Sequence, residues 1–329
     1  MVKRNTMKNI IFPLLALAML VLASCEKEIE FNGEITKPLV TVNSYLIPDS
    51  TVRVIVSKSR FFLDSKNYFE RIENATMNIV VNDGYTETLK LSAGTYVGNY
   101  KPQPGDSVAL LIKVPGEDEV RSSAVVPMPS NIISIDTLSR KEIERYPAEM
   151  YNDSVISWMT HYELEMGLRI KDPAQQKNFY RLSILFNEEY TNFDFSNRYY
   201  LYFNLQGVTN ETSGGSLLGL IGEENQKAFH LFSDDVFDGK DVIIRFKVNE
   251  YKMERKPGSE DPTPSQISYI INLQSLNRAT YLYLKSKDAS GDVVSDFFTE
   301  PVQIYTNISN GIGIFGAITN NTKILYMNR

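Results

Sequence analysis

The sequence predicts a mainly β protein, in which a β-sandwich is followed by a second β-rich domain with one short helix. Many short segments alternate apolar and polar positions with the period of two that a half-buried strand requires. They are rich in β-branched and aromatic residues, and turn sequences separate them at short intervals. The chain has 329 residues, of which 43% are hydrophobic. It is therefore long enough for about two domains with their own cores.

The first predicted domain covers residues 38–129. Its clearest hairpin signal is Asn82-Asp83-Gly84, because Asp-Gly readily adopts the positive φ values of a type I′ turn. Pro48-Asp49-Ser50 and residues 102–105 predict two further turns. The predicted strands cover residues 39–46, 51–57, 77–81, 85–91, 95–100, 108–114 and 119–126. About seven short strands in about 90 residues are typical of an immunoglobulin-like (Ig-like) β-sandwich.

Residues 130–154 are predicted to form a connector between the two domains. Residues 141–145 are mostly charged, Pro147 interrupts the pattern, and Asn152-Asp153 resembles a turn. A domain boundary is therefore expected here.

The second predicted domain covers residues 155–329. Residues 276–289 have the apolar spacing of a helix, and Gly291 is expected to end it. The predicted strands before the helix cover residues 155–170, 179–186, 199–205, 242–248 and 267–273. Further strands are expected near the C-terminus.

The composition excludes several classes of function. The formal net charge of −6 offers no basic surface to a nucleic-acid backbone. The chain has two histidines, His161 and His230, and one cysteine, Cys25. These counts exclude disulfides, zinc knuckles, histidine-rich metal centres and a Cys–His nucleophile. No cofactor is expected.

Two motifs suggest ligand binding but have simpler interpretations. Residues 311–316 match G-x-G-x-x-G, yet too few residues follow for a dinucleotide-binding βαβ unit, so nucleotide binding is not expected. A second group of residues forms a weak candidate for a Ca²⁺ site with oxygen ligands: Asp234, Asp235, Asp238 and Asp241. Their spacing differs from that of an EF-hand, and a solvated turn is the favoured interpretation.

Carboxylate pairs and clustered aromatic residues give further candidates. Glu188-Glu189 and Glu223-Glu224 contain the carboxylates that a glycoside hydrolase needs, but adjacent strand residues point to opposite faces. Neither pair is expected to form a catalytic dyad. An aromatic segment is a candidate ligand platform or interface, although burial in the core is favoured: Phe193, Phe195, Tyr199, Tyr200, Tyr202 and Phe203.

The first 25 residues predict where the protein resides. Basic residues precede an apolar run over residues 10–23, which is too short to span a bilayer and is typical of a signal peptide, here residues 1–24. Leu22-Ala23-Ser24-Cys25 resembles the bacterial lipobox, in which the cysteine is acylated and becomes the new N-terminus. The alternative is an ordinary signal peptide beside an incidental cysteine. Met7 is an alternative start.

Residues 25–37 are predicted to be the lipidated Cys25 and its tether. Residues 1–24 hold three of the 34 basic residues and no acidic ones, so the mature chain has a net charge of −9. An acidic body is not attracted to anionic headgroups, so the acyl chains must provide the anchor. The acid-rich residues 26–34 resemble the surface-export signals of Bacteroidota lipoproteins. A solvated linker facing the periplasm is the alternative.

Several segments together resemble one family over nearly the whole mature chain. They are the lipobox, Asn43–Ser50, Lys101–Gly105, Leu231–Lys240 and, most specifically, Glu300–Gly316. The chain is identified by them as similar to the domain-of-unknown-function 4249 family. The resemblance implies a Bacteroidota outer-membrane lipoprotein with an Ig-like N-terminal part, often encoded beside a TonB-dependent transporter. It implies no reaction and no catalytic residues.

The expected function is therefore that of a non-enzymatic lipoprotein, anchored at the cell surface, that assists a TonB-dependent β-barrel transporter in nutrient capture or uptake. The alternatives are a structural or adhesion module of the envelope and a carboxylate-dependent surface hydrolase. The partner is expected to contact small and polar residues near the C-terminus, namely Tyr305, Asn307, Asn310, Gly311, Gly313, Phe315 and Gly316. A tight β-bend within the fold is the alternative explanation of these glycines.

Overall fold

The structure is a computed structural model that describes residues 37–61, 68–151, 154–190, 195–206, 208, 227–255, 265–293 and 303–327. Cys25 and the tether up to residue 36 lie outside the described residues. The chain from Pro38 to Arg329 forms one compact unit. Strands dominate its described part, which confirms the mainly β prediction.

Eight strands form in the N-terminal half, close to the predicted positions. They are β1 Val40–Leu46, β2 Arg53–Lys58, β3 Thr76–Val81, β4 Tyr85–Thr88, β5 Lys90–Ser92, β6 Thr95–Val97, β7 Ser107–Lys113 and β8 Val120–Val125. The predicted turn between β3 and β4 is present, but it begins one residue early. Asn82 and Asp83 have φ values of 49° and 55°, and the Gly84 N–H donates to the Val81 carbonyl at 3.0 Å.

After β8, the described residues form nine further strands and one helix. They are β9 Asn131–Tyr151, β10 Ser154–Lys171, β11 Phe179–Tyr190, β12 Phe195–Tyr200, β13 Asn204–Gln206, β14 Phe229–Ser233, β15 Asp241–Arg255, β16 Gln266–Leu276, α1 Arg278–Val293 and β17 Ile312–Met327. Two predictions need correction. The expected connector 130–154 is largely strand β9, which pairs with β10 along its whole length. Helix α1 also continues past Gly291, because a single glycine lowers helix stability without ending the helix.

One long sheet runs through the molecule, in the order β12-β11-β16-β17-β1-β2-β6-β5, with β14 also paired to β11. Strand β17 is the link between its two ends. Residues 312–317 pair in parallel with β1, and residues 318–327 pair antiparallel with β16. The N-terminal sandwich is therefore completed by the last strand of the chain. This corrects the prediction that residues 38–129 form a domain separate from 155–329.

Two smaller sheets pack against this long sheet, and each encloses a hydrophobic core. The sheet β4-β3-β7-β8 covers the β1–β2 end, with Val54, Ile79 and Leu110 among the buried residues. The sheet β13-β15-β10-β9 covers the β11–β16 end, with Leu182 and Phe246 in its core. The molecule thus contains two sandwiches that share one sheet.

Both cores lie on the same face of strand β17. Phe315 and Ala317 pack in the first core, and Leu325 and Met327 pack against the second. These residues are an even number of positions apart along an unbroken strand, so their side chains point to one side. Residues 318, 320, 322, 324 and 326 therefore line the opposite, outer face.

Helix α1 covers one end of that outer face. The Asn277 side chain caps the helix, because its Oδ1 accepts the Thr280 N–H at 3.0 Å. Tyr281 packs with Leu231 and Ile318 in a third, smaller cluster. Part of the outer face beyond this cluster is exposed. Among the described residues, no helix has the length and apolar character needed to cross a membrane.

Candidate functional site

The glycine-rich segment near the C-terminus is bonded to the rest of the fold, and its residues 314–316 are buried. The Asn307 side chain donates to the Phe315 carbonyl at 2.8 Å, and its Oδ1 accepts the Phe315 N–H at 3.0 Å. Its backbone carbonyl accepts the Ser122 hydroxyl at 2.9 Å. Asn307 therefore ties β8 to the first part of β17.

The glycines are needed because the backbone approaches other atoms closely. Gly313 has φ +104°, and a Cβ there would lie 2.1 Å from the Val42 carbonyl oxygen. A Cβ at Gly311 would lie 2.6 Å from the Val40 carbonyl oxygen. A Cβ at Gly316 would lie 2.2 Å from the Thr280 hydroxyl. The parallel β1–β17 pairing and the seat of helix α1 both depend on these small residues.

The predicted interface in this segment is therefore corrected in part. Phe315 has no exposed surface and Gly316 is buried, so neither residue lies on an accessible surface. Asn310 is exposed, but its side chain donates to the Glu119 carbonyl at 3.0 Å. Tyr305 is half-buried, and its N–H donates to the Ser286 hydroxyl at 2.9 Å. The tight bend within the fold explains these residues better than a contact surface.

The four aspartates of the candidate Ca²⁺ site do not all lie together. Asp234 and Asp238 meet Asp172, with one carboxylate oxygen of each within 4.8 Å of the others. Asp241 instead makes a bidentate ion pair with Arg169 at 2.8 and 2.9 Å. Asp235 pairs with Lys177 and accepts the Ser233 hydroxyl. The sequence reasoning missed Asp172, which lies more than 60 positions before Asp234 and follows strand β10.

Internal partners already occupy much of this acidic cluster. Asp172 accepts the Tyr180 hydroxyl at 2.6 Å and the Gly239 N–H at 3.0 Å. Asp234 accepts the Asn178 N–H at 2.7 Å, and Lys177 Nζ lies 3.1 Å from its other oxygen. Burial raises the pKa of Asp172, and the neighbouring carboxylates add to the effect. The cluster thus joins the loops after β10 and β14 through internal hydrogen bonds and an ion pair.

The two histidines have separate structural roles. His230 is fully buried on β14, and its Nε2 lies 2.8 Å from the Phe203 carbonyl oxygen. Burial lowers its pKa. His161 stacks on Tyr251 at 4.7 Å, and its Nε2 lies 3.1 Å from the Asn249 Oδ1. The structure does not bring the two histidines together.

The aromatic segment is exposed on one side and buried on the other. Tyr199, Tyr200 and Tyr202 are 46%, 48% and 64% exposed, whereas Phe203 is fully buried against His230. Phe193 lies outside the described residues, as does the side chain of Phe195. Core burial therefore accounts for Phe203 but not for the tyrosines.

The adjacent carboxylates on β11 do not form a dyad. Glu188 accepts hydrogen bonds from Tyr190 and Asn197 at 3.3 and 3.2 Å, whereas Glu189 accepts one from Asn187 at 3.0 Å. As expected for neighbours on a strand, they point to opposite faces. The second pair, Glu223-Glu224, lies outside the described residues.

A surface that the sequence did not predict extends beyond the second core. We call it the distal ribbon, and it comprises residues 139–151 of β9, 154–163 of β10 and 249–255 of β15. The buried core residues nearest to it are Leu164 and Val248. Its exposed large apolar side chains are Ile143, Tyr146, Met150, Tyr151, Tyr251 and Met253. Such a group of exposed apolar side chains is typical of an interaction surface.

Two arginines cross one face of the distal ribbon. Arg140 on β9 reaches across β10 to Glu250 on β15 at 2.9 and 3.2 Å, and its guanidinium lies 3.9 Å from the Tyr162 ring centroid. Arg145 similarly reaches Glu254 at 2.8 Å and lies 5.1 Å from the Trp158 ring centroid. These ion pairs connect β9 to β15 across β10.

The edge of the distal ribbon is protected against strand addition. Strand β9 is the edge of its sheet, and its pairing with β10 shifts register at five places. Pro147 and several charged residues also lie on it. Bulges, proline and charge are common means by which natural edge strands avoid further pairing. A partner of the ribbon would therefore contact its faces or its tip.

Two sandwiches that share a sheet, together with an exposed ribbon, define a β-sandwich protein. The chain belongs to the family described as "Domain of unknown function (DUF4249)", whose model matches residues 26–324. This confirms the resemblance found in the sequence. No curated protein matches the chain.

Comparison with solved structures gives weak likenesses. A carbohydrate-binding module of the β-sandwich superfamily is 10% identical, with 67% of this chain and 96% of that chain covered and a TM-score of 0.20. A protein from Corynebacterium diphtheriae, described as membrane anchored, is 9% identical, with 74% and 55% covered and a TM-score of 0.19. Scores this low support no conclusion about function.

Proposed function

We propose that the protein is a lipid-anchored outer-membrane lipoprotein that assists a TonB-dependent β-barrel transporter in nutrient capture, without catalysing a reaction. The Leu22-Ala23-Ser24-Cys25 sequence supports the anchor. Membership of the family supports the envelope setting, since the resemblance implies a neighbouring transporter. The protein would then be exposed on the outer surface of the cell.

The distal ribbon is the observation that carries the binding role. Tyr151 and Met150 at its tip are 68% and 60% exposed, and Tyr251 on its face is 57% exposed. Exposing such side chains has no benefit for the stability of an isolated chain, because apolar surface gains free energy only when it leaves water. Aromatic residues and methionine are also enriched in interface cores. The ribbon is therefore a suitable contact surface for the barrel.

Two proteins anchored in one membrane need only a modest interface. Confinement to the same bilayer raises the effective concentration of each protein near the other. A small contact through the ribbon would then suffice for a lasting complex. The acyl anchor and the ribbon have distinct roles in this proposal, so they are tested separately.

The anchor is tested by Cys25→Ala. The variant lacks the sulfur that accepts the acyl chain, so we expect it to leave the membrane fraction, whereas Ser24→Ala should remain there. Cell fractionation followed by immunoblotting measures both. A Cys25→Ala protein that stays in the membrane through detergent-free washing would exclude the lipoprotein assignment.

The partner is tested by affinity purification in mild detergent. We expect tagged protein to recover a large β-barrel, and the double variant Met150→Ser/Tyr151→Ser to recover much less of it. Tyr326→Ser, at a residue 55% exposed on β17, is the matched control. Recovery of the lipoprotein alone, under conditions that preserve other barrel complexes, would favour a structural or adhesion module instead.

A further inference from the structure

Beyond helix α1, the outer face of the long sheet carries a row of amide, hydroxyl and guanidinium groups. We call it the polar strip, and it comprises Arg181, Ser183, Asn272, Gln274, Asn320 and Thr322. Strand register places these residues side by side on β11, β16 and β17. Asn320 and Thr322 are exposed, and the neighbouring Asn272 and Gln274 are half-buried. The strip is therefore open to solvent along one side.

Arg181 is the cation of the strip, and it has an unusual environment. Its guanidinium lies 4.0 Å from the centroid of the Phe229 ring, and its Nη1 donates to Gln274 Oε1 at 3.4 Å. No carboxylate among the described residues forms an ion pair with it. Burial lowers the pKa of Arg181, and Asp288 on α1 opposes the shift from beyond ion-pair distance. A half-buried guanidinium of this kind is a favourable place for an anion.

Hydrogen bonds link the amide side chains of the strip to neighbouring side chains. Gln274 accepts from Arg181 and donates from Nε2 to Asn320 Oδ1 at 2.8 Å. Thr322 donates to Asn272 Oδ1 at 3.3 Å. Each primary amide has two N–H donors and an oxygen with two lone pairs, so these contacts leave both donors and acceptors available. Sugar hydroxyls need donors and acceptors together.

Aromatic rings border the strip on the side of β12 and β14. Phe229 lies opposite Ser183 in the register, and its ring centroid is 4.8 Å from that of Tyr200. Tyr200 is 48% exposed. Cation, amides and an exposed ring therefore lie together on one open face.

We propose that the polar strip binds an oligosaccharide that carries carboxylate groups. Arg181 pairs with a carboxylate, the amides of Asn272, Gln274 and Asn320 bind ring hydroxyls, and Tyr200 packs against the apolar face of a sugar ring. The planar guanidinium matches a carboxylate in two parallel hydrogen bonds. The nearby Asp288 carboxylate disfavours a doubly charged phosphate, because like charges repel more strongly as the ligand charge rises.

This inference deepens the proposed function by naming the class of nutrient, and it rests on that function only for the fate of the ligand. The test is calorimetric titration of the full chain, purified in mild detergent, with a short oligogalacturonate. The fully methyl-esterified oligosaccharide is the matched ligand, since it keeps the rings and hydroxyls but lacks the charge. We expect binding of the acid form and at least about tenfold weaker binding of the ester.

Single substitutions distinguish the loss of the binding site from the loss of the fold. Arg181→Gln should weaken binding of the acid form at least about tenfold, because it removes a charged hydrogen-bonding partner. Tyr200→Ala should weaken it about three- to tenfold through loss of stacking. Arg169→Gln is the control, since Arg169 is an exposed arginine paired with Asp241 on the other sheet. Thermal unfolding checks that each variant is folded.

Three outcomes would overturn the proposal. The first is that the acid form does not bind, and the second is that the ester binds equally well. The third is that the single variants Arg181→Gln and Tyr200→Ala are both folded and both bind the acid form with unchanged affinity. Competition by inorganic sulfate at constant ionic strength would show a simple anion site and would also overturn it. Because no barrel is present in the titration, its failure would leave the anchor and partner tests unaffected.

Discussion

The N-terminal sandwich and the distal ribbon are built from similar alternating strands but are stabilised in different ways. In the sandwich, every second residue of β3 and β7 is buried against the opposing sheet, and Ile79 has no exposed surface. In the distal ribbon, β9 is exposed at nearly every position. Side-chain ion pairs link the three strands of the ribbon. An alternating pattern therefore shows which residues share a face, but not whether anything covers that face.

The largest expected difference between the two regions comes from truncating an isoleucine in each. Ile79→Ala removes buried methylenes from the first core and should lower the free energy of unfolding by about 2–5 kcal/mol. Ile143→Ala, at a residue 46% exposed in the ribbon, should change it by less than about 0.5 kcal/mol. Urea unfolding measures both. Equal losses would mean that the ribbon has a covering layer.

Substitution of Gly313 tests the pairing of β1 with β17, which completes the N-terminal sandwich. Gly313→Ala places a Cβ 2.1 Å from the Val42 carbonyl oxygen at φ +104°, so we expect a loss of about 2–3 kcal/mol in the free energy of unfolding. Gly105→Ala is the matched control, since its φ is +93° and no atom lies within 4 Å of the added Cβ. It should lose only about 1 kcal/mol. A smaller loss at Gly313 than at Gly105 would contradict the close packing of β1 on β17.

The ion pairs that Arg140 and Arg145 form across β10 test how the three strands of the distal ribbon are held together. Arg140→Met leaves the Glu250 side chain, which is 9% exposed, without its counter-ion and should lower stability by about 1–2 kcal/mol. Arg245→Met is the control, because Arg245 is 56% exposed and lies 3.5 Å from Glu165. Its loss should be below about 0.5 kcal/mol. Thermal or urea unfolding distinguishes the two, and hydrogen exchange should show the effect of Arg140→Met in 249–255.

The smallest expected effect is a pH dependence from His230. Burial lowers its folded-state pKa below the ordinary 6.5, so the unfolded chain binds this proton more readily than the folded one. Stability from neutral His230 is therefore present above the unfolded pKa and is lost as the pH falls through the folded pKa. We expect the free energy of unfolding to decrease as the pH falls from 7 to 5. His230→Gln should flatten this slope more than His161→Gln, and the reverse order would contradict the assignment.

The strands of the first sandwich were predictable because burial and local turns act together there. Large apolar residues occupy every second position from Val108 to Val114, and β7 is buried at every second position. The turn after Val81 was recognised from its residue types, although its position was off by one. Local sequence contains enough information when a strand has one buried face and a short connection.

Pairing between strands far apart in the sequence, and strands with exposed faces, could not be predicted in the same way. No local pattern indicates that residues 312–317 lie beside β1, because strand pairing depends on partners far apart in sequence. Residues 130–154 are predicted to be a connector because their charged residues resemble a loop, whereas Arg140 and Arg145 form cross-strand ion pairs. Asp172 was missed because only folding brings it to Asp234. The aromatic residues Tyr146, Tyr151, Trp158 and Tyr162 are a signal for the ribbon in the sequence, but they do not show whether other parts of the chain cover them.

The parallel pairing of β17 with β1 has a consequence for the order in which the fold forms. The first sandwich needs residues 312–317 beside β1, so a partly synthesised chain lacks the strand that completes it. Contacts between distant parts of a chain also form slowly. Closure of the first sandwich by β17 is therefore expected to be a late step of folding.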